Sequence, residues 1–213
     1  MIKLMEIPVP EVINKKTKAL AVLDAIFCQE WELRYFSHNS KWSDISEMGS
    51  MRDGEGDDYF ILFINFGAAI KGSCRESYET GTNRLSNMDH KLIPKIYVDF
   101  INEPAFSIEE ATFIIWFDVV DGKWKKIGDS NDDDYLGGGE DSLLRWICGG
   151  PEVYKNWAEK YFEKIIDIEL VRSVFEFKPI DMNVVKTIIF DIDLDKLQED
   201  LEEIGYPYIG YSE

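Results

Sequence analysis

The chain has 213 residues, with 41 Asp and Glu against 23 Lys and Arg, giving a formal net charge of −18 at pH 7. Nucleic-acid affinity comes largely from Lys and Arg neutralising phosphates, so this field argues against a nucleic-acid binder and against an anionic membrane surface, while a basic protein, a peptide or a cation is attracted. A 45% hydrophobic share with 14% aromatics fits a packed globular protein, and a chain of this length buries roughly 70% of its unfolded surface without a disulfide or metal staple.

Three cysteines, Cys28, Cys74 and Cys148, are widely spaced with no CxxC pair, which fits reduced structural thiols in a cytoplasmic protein. Cys28 and Cys148 have apolar neighbours, which favours burial. The N-terminal MIKLMEIPVPEV lacks a signal-peptide core, and no apolar run is long enough to span a bilayer. The expected location is the cytoplasm.

In chain order, 17–28 reads as a helix with Leu20, Leu23, Ala25, Ile26 and Phe27 on its apolar side and Lys18 and Asp24 opposite. Alternation at Trp31, Leu33 and Tyr35 predicts a strand over 31–36, and 39–46 reads as a polar loop around a partly exposed Trp42. The other tryptophans read as core. A three-strand meander follows at 47–52, 58–65 and 68–72, with tight turns at Gly54 and Gly56 and at 65–67. Its middle strand is continuously apolar, as suits a strand covered on both faces.

The polar stretch 76–91 reads as a long surface excursion. Ile93, Ile96, Tyr97, Phe100 and Ile101 mark a helix that stops before Pro104. Strands at 111–119 and 123–127 flank a hairpin turn at Asp121 and Gly122. An acidic glycine-rich loop, 129–141, leads into a helical remainder. There Val153, Trp157, Tyr161 and Ile165 predict one buried helix face near Leu197 and Leu201, Asp167, Asp181 and Asp193 predict helix caps, and Gly205 a helix stop. The fold class predicted is α+β in a single domain, with a mainly antiparallel sheet in the N-terminal two-thirds, packed helices, and a helical C-terminal third.

The stretch EMGSMRDGEGDDYFILFINFGAAIKG carries the densest polar chemistry. Arg52, Asp53, Glu55, Asp57 and Asp58 surround two glycines, with Lys71 on the strand beyond. Together with Trp42 they form the candidate binding set. Carboxylates flanking Gly54 and Gly56 would repel a phosphate, so the GxG there is no nucleotide loop. His38 and His90 are far apart without companions at metal-ligand spacing, and a structural or surface role is expected for each. Walker A, Rossmann, HExxH and GxSxG motifs are absent from the sequence. No cofactor is expected. Asp129, Asn131, Asp133 and Glu140 match positions 1, 3, 5 and 12 of an EF-hand calcium loop, but Asp134 replaces the glycine at position 6 and a strand precedes it, so a solvated acidic loop is expected.

The pieces Met48-Gly49-Ser50-Met51-Arg52-Asp53-Gly54-Glu55-Gly56-Asp57-Asp58, Gly67-Ala68, Lys71-Gly72, Glu103-Pro104-Ala105-Phe106 with Trp116, Tyr154, Trp157-Ala158, Tyr161, and Glu203-Ile204-Gly205-Tyr206-Pro207 are similar to those of a family of bacterial proteins of unknown function. The resemblance spans most of the chain and implies no particular activity. In such relatives a histidine often precedes the Glu-Ser pair after the meander. Arg75 stands there in this chain, so an activity needing that histidine as a base would be lost.

Two function classes remain. By class and charge the chain looks like the immunity proteins that neutralise a basic toxin, a non-catalytic protein-binding role. The alternative is a metal-dependent hydrolase or small-ligand-binding protein built on the hairpin carboxylates.

Overall fold

A helix whose C-terminal half is buried on every side organises the molecule. The computed structural model describes residues 3–79, 92–127 and 139–211. Helix α1 (Pro10–Phe27) starts with Pro10 at its first position, where the missing N–H costs nothing. From Thr17 to Phe27 every one of its residues is buried. A helix apolar or paired all round belongs between layers and not on a surface. One side of α1 packs on the sheet, and the other meets α7 (Ile168–Phe175) and α9 (Leu194–Ile204). Each large side chain so placed, such as Leu20 or Leu23, contributes roughly 1.5–3 kcal/mol. The expected polar side is therefore corrected: Lys18 and Asp24 point into the interior, where each has partners, and the helix begins seven residues earlier than 17.

The sheet contains β1 (Phe36–Ser43), β2 (Ser46–Arg52), β3 (Asp58–Ile64), β4 (Gly67–Ser73), β5 (Phe113–Asp118) and β6 (Lys123–Lys126), paired antiparallel in chain order. The antiparallel α+β expectation holds. The positive φ of Gly54 (77°), Gly56 (114°) and Gly122 (64°) explains glycine at those turns. Two positions differ from expectation. Trp31–Leu33 is a 3-10 turn with Trp31 and Leu33 exposed, and the edge strand runs through the segment expected as a loop. Phe36 and His38 are its inward positions. The small polar Ser37 and Asn39, which alternate with them, face the partly covered side, so the strand looks like a loop in sequence.

Tyr59, Ile61, Phe63, Ile70 and Ile115 point to the α1 side of the sheet. Leu62, Ala69, Ile114 and Trp116 point to the opposite side, where Tyr97, Phe100, Phe106 and Ile108 cover them. Those covering residues come from a 3-10 turn (Lys95–Tyr97), α3 (Val98–Asn102) and two further 3-10 turns; Ile96 faces outward instead. The cover reaches over the middle of the sheet. Over β1 and β2 the second face carries Ser37, Asn39, Met48, Ser50 and Arg52; Met48 packs against the edge of the apolar cluster and Ser50 is buried, while Ser37 and Asn39 are half-exposed and Arg52 is exposed.

The C-terminal helices are capped as expected. Asp167, Asp181 and Asp193 accept backbone N–H bonds at the starts of α7, α8 (Met182–Ile188) and α9, and Gly205 (φ 70°) ends α9. The face of α6 (Pro151–Tyr161) is corrected. Tyr154 and Ala158 are buried, Trp157 is half-buried, and Val153 and Tyr161 are exposed. Ile165 is 99% exposed because the helix has already ended before Glu163, whose φ is 53°. A short parallel pair, β7 (Ile180–Asp181) with β8 (Tyr208–Ile209), ties the end of the chain to α8 and has no counterpart in the sequence reading. Among the described residues, no helix is long and apolar enough to cross a membrane.

Candidate binding cleft

The partly covered strip of the sheet's second face forms a cleft of about 290 Å³. Its floor comes from strand residues that alternate onto that face: Ser37, Met48, Ser50 and Phe60. The Ser37 and Ser50 hydroxyls lie 2.7 Å apart across the ladder. At one end the Arg52 guanidinium sits 4.8 Å from the centre of the half-exposed Trp31 ring. At the other end Trp42 stacks on Phe106 at 5.8 Å, and Phe60 stacks on the same ring at 5.2 Å. Trp42 stands where the β1–β2 register slips between Asn39 and Ser43, and such irregularities re-aim a side chain. Beyond Trp42 a second hollow of about 450 Å³ is lined by Ser43, Ser46, Leu62, Asp99, Asn102 and Glu103. Glu203 of α9 closes the near rim, anchored where Ser40 donates to its carbonyl at 2.8 Å.

Of the binding residues expected from sequence, the structure brings Arg52 and Trp42 together in this cleft. Asp58 and Lys71 lie next to it on the same face as an ion pair at 2.7 Å, with the Lys71 side chain wholly buried. Burial pushes the Asp58 carboxyl up, and Lys71 opposes that shift. The remaining hairpin carboxylates are largely occupied by the backbone. Asp53 Oδ1 accepts from the N–H groups of Glu55, Gly56 and Asp57 at 2.7–3.0 Å. Asp57 Oδ1 accepts from the Arg75 N–H at 2.8 Å. Glu55 is exposed at the tip.

Asp129, Asn131 and Asp133 lie outside the described residues, as does His90; Glu140 is buried at the start of α4 (Glu140–Leu143). Among the described residues no group of three His, Cys, Asp or Glu is placed to hold a metal ion. The cysteine expectation is corrected: Cys74 is the buried one, while Cys28 and Cys148 are half-buried. Burial pushes the Cys148 thiol up to about 11, which makes it a poor nucleophile.

Sequence reading missed Trp31, Ser37, Ser50, Phe106 and Glu203. Trp31 and Ser37 were hidden by the misplaced edge strand. Glu203 reaches the cleft only through the packing of α9 on β1, which leaves no local signal.

Under the opposite face lies a buried polar network. His38 Nε2 is 2.9 Å from Glu47 Oε2 and its Nδ1 is 3.1 Å from Thr17 Oγ1, while Lys18 and Asn14 also bond Glu47. Burial alone would raise the Glu47 pKa; the bonds from His38, Lys18 and Asn14 outweigh it and hold the carboxyl at about 2. Burial lowers the His38 pKa. Carboxylate, imidazole and hydroxyl share only their order with a catalytic relay. Thr17 is buried, and its hydroxyl donates to the Asn14 carbonyl at 2.9 Å, so no substrate atom can reach it. The network joins α1 to β1 and β2.

No protein-family model, curated protein or solved structure matches this chain. The cleft lining supplies aromatic rings, hydroxyls and a carboxylate rim.

Proposed function

We propose that this chain is a non-catalytic binding module that captures a basic protein partner, as an immunity protein does with its toxin. The observation that carries the reading is the outer face of α9. Asp193, Asp195, Glu199, Glu202 and Glu203 are exposed there, and Lys196 is the only cation within the helix. With a chain charge of −18, such a face speeds the capture of a basic protein and disfavours acidic competitors. The exposed Glu55 at the hairpin tip adds to the same field.

The test is affinity capture from host cells at low and high salt, followed by measured affinity for each purified candidate. The screening length falls from ~10 Å at 0.1 M to ~3 Å at 1 M. A basic partner that binds tightly at low salt and weakens as salt rises supports the reading. Binding insensitive to salt, or no basic partner at low salt, overturns it.

A further inference from the structure

We propose that the docking surface for that partner is the partly covered strip of the sheet's second face, and that it receives an arginine-bearing segment against Trp31 and Trp42. The inference rests on the binding-module reading and adds the place and the chemistry of contact.

The sheet is the starting point. Its second face is sealed over β3 to β5 by Tyr97, Phe100 and Phe106, whereas over β1 and β2 the cover is partial: Ser50 is buried and Met48 and Trp42 pack against that cluster, while Ser37 and Asn39 stay half-exposed. A sheet face turned to water carries polar side chains, as Ser37, Asn39 and Arg52 do on this strip. Set among them, however, are Met48, Phe60 and two tryptophan rings. Trp31 is 50% exposed although a tryptophan gains more than most side chains from burial. Rings of this size are the usual anchors of protein interfaces.

Charge selects the occupant. Asp99 and Glu203 are exposed and Glu103 half-buried around the two hollows flanking Trp42. Arg52 is the one cation in these linings and already lies on one part of the Trp31 ring; against it stand three carboxylates, so the rim stays net negative. A negative rim over aromatic faces matches a guanidinium, which stacks on a ring and donates to carboxylates in the same plane. An acidic or purely apolar segment would leave the rim carboxylates desolvated without partners, at a cost.

The test uses the full chain and two short peptides, acetyl-Gly-Arg-Gly-Arg-Gly-amide and its citrulline counterpart, which keeps the shape and loses the charge. Indole N–H resonances are followed by NMR at low salt. The expected result is movement of the Trp31 and Trp42 signals with the arginine peptide, little with citrulline, and an unmoved Trp146 signal. Trp31→Ala, at an exposed position, and Trp42→Ala should each weaken binding about five-fold. Glu103→Gln, which keeps the oxygen that caps the Ala105 N–H, should weaken it without loss of fold. If the arginine peptide binds in a salt-dependent way but moves neither indole and ignores both tryptophan variants, the docking surface is wrong while the basic-partner reading stands. Equal binding of the citrulline peptide also overturns the proposal. Absence of any binding by the peptide and by basic proteins at low salt removes both.

Discussion

Gly72 and Phe113 face each other across β4 and β5, and the Phe113 ring fills the space that a side chain at 72 would need. A Cβ built on Gly72 would lie 2.1 Å from two atoms of that ring. The ring is buried in a close-packed core, where a shift disturbs its neighbours. Gly72→Ala should therefore destabilise the fold by about 1–3 kcal/mol or more, as overpacked cores do. Chemical denaturation reads this directly. An unchanged midpoint would mean that Phe113 has an alternative place to go.

Asp24 gives the fold a pH dependence of predictable sign. It is wholly buried, accepts from the Tyr35 and Phe36 N–H groups and the Tyr154 hydroxyl at 2.8–2.9 Å, and has Arg34 as the cation acting on it. Burial raises its pKa to about 7, against the opposing pull of those bonds. An unfolded Asp titrates near ~3.9. Between the two values the unfolded chain is ionised and the folded chain holds the proton, so stability from this group falls as pH rises, by up to ~1.4 kcal/mol per unit. His38, lowered by burial, works the other way below its unfolded pKa of ~6.5, so the total profile mixes both. The difference between wild type and Asp24→Asn isolates Asp24. The variant should gain stability relative to wild type as pH rises from 4 to 7 (roughly the two pKa values). A constant difference across that window would place the Asp24 titration elsewhere.

The Lys71–Asp58 pair should respond unequally to its two truncations. Asp58→Asn leaves an ammonium with 0% side-chain exposure beside a neutral amide. The expected cost is near the lower end of the roughly 3–5 kcal/mol seen when a buried pair is broken. Lys71→Met should cost less, since Asp58 keeps contact with water at 24% exposure, and a methionine refills the volume over the Phe60 ring that Lys71 now approaches at 5.5 Å. Equal losses would show that the pair is not asymmetric in burial.

The strands legible in sequence were those whose pattern is local: the apolar run of β3, the glycine turns on either side, and the aspartate caps of α7 to α9. What stayed hidden depends on partners distant in the chain. Lys18 looked solvent-facing because its acceptor, Glu47, is 29 residues away on another element. The candidate cleft was half legible through Trp42 and Arg52, whereas Trp31 and Glu203 reach it only because a 3-10 turn and the end of α9 pack beside β1. The same contrast yields a test in α6. Trp157 is only half-buried, yet its ring meets those of Tyr35, Phe36, Trp146, Tyr154, Tyr161 and Phe162 within 4.6–5.8 Å. Trp157→Ala should cost on the order of 3–5 kcal/mol, and Ile165→Ser close to nothing. Similar melting temperatures for the two variants would contradict this arrangement.

The hairpin separates structural from steering charge. Asp53 Oδ1 satisfies three backbone donors of its own turn, so Asp53→Ala should cost about 1 kcal/mol through lost capping bonds. The triple change Asp53→Asn, Glu55→Gln and Asp57→Asn keeps an acceptor oxygen at each position and removes the charge alone. The fold should survive it. If the hairpin contributes to capture of a basic partner, the association rate at low salt should fall on the order of two- to five-fold while dissociation changes little, because steering acts before contact. The difference should shrink in high salt as the field is screened. Stopped-flow association of wild type and the triple variant with the captured partner makes the comparison. Identical association rates at low salt would reduce the hairpin carboxylates to turn formation, leaving the α9 face and the cleft rim to carry the attraction.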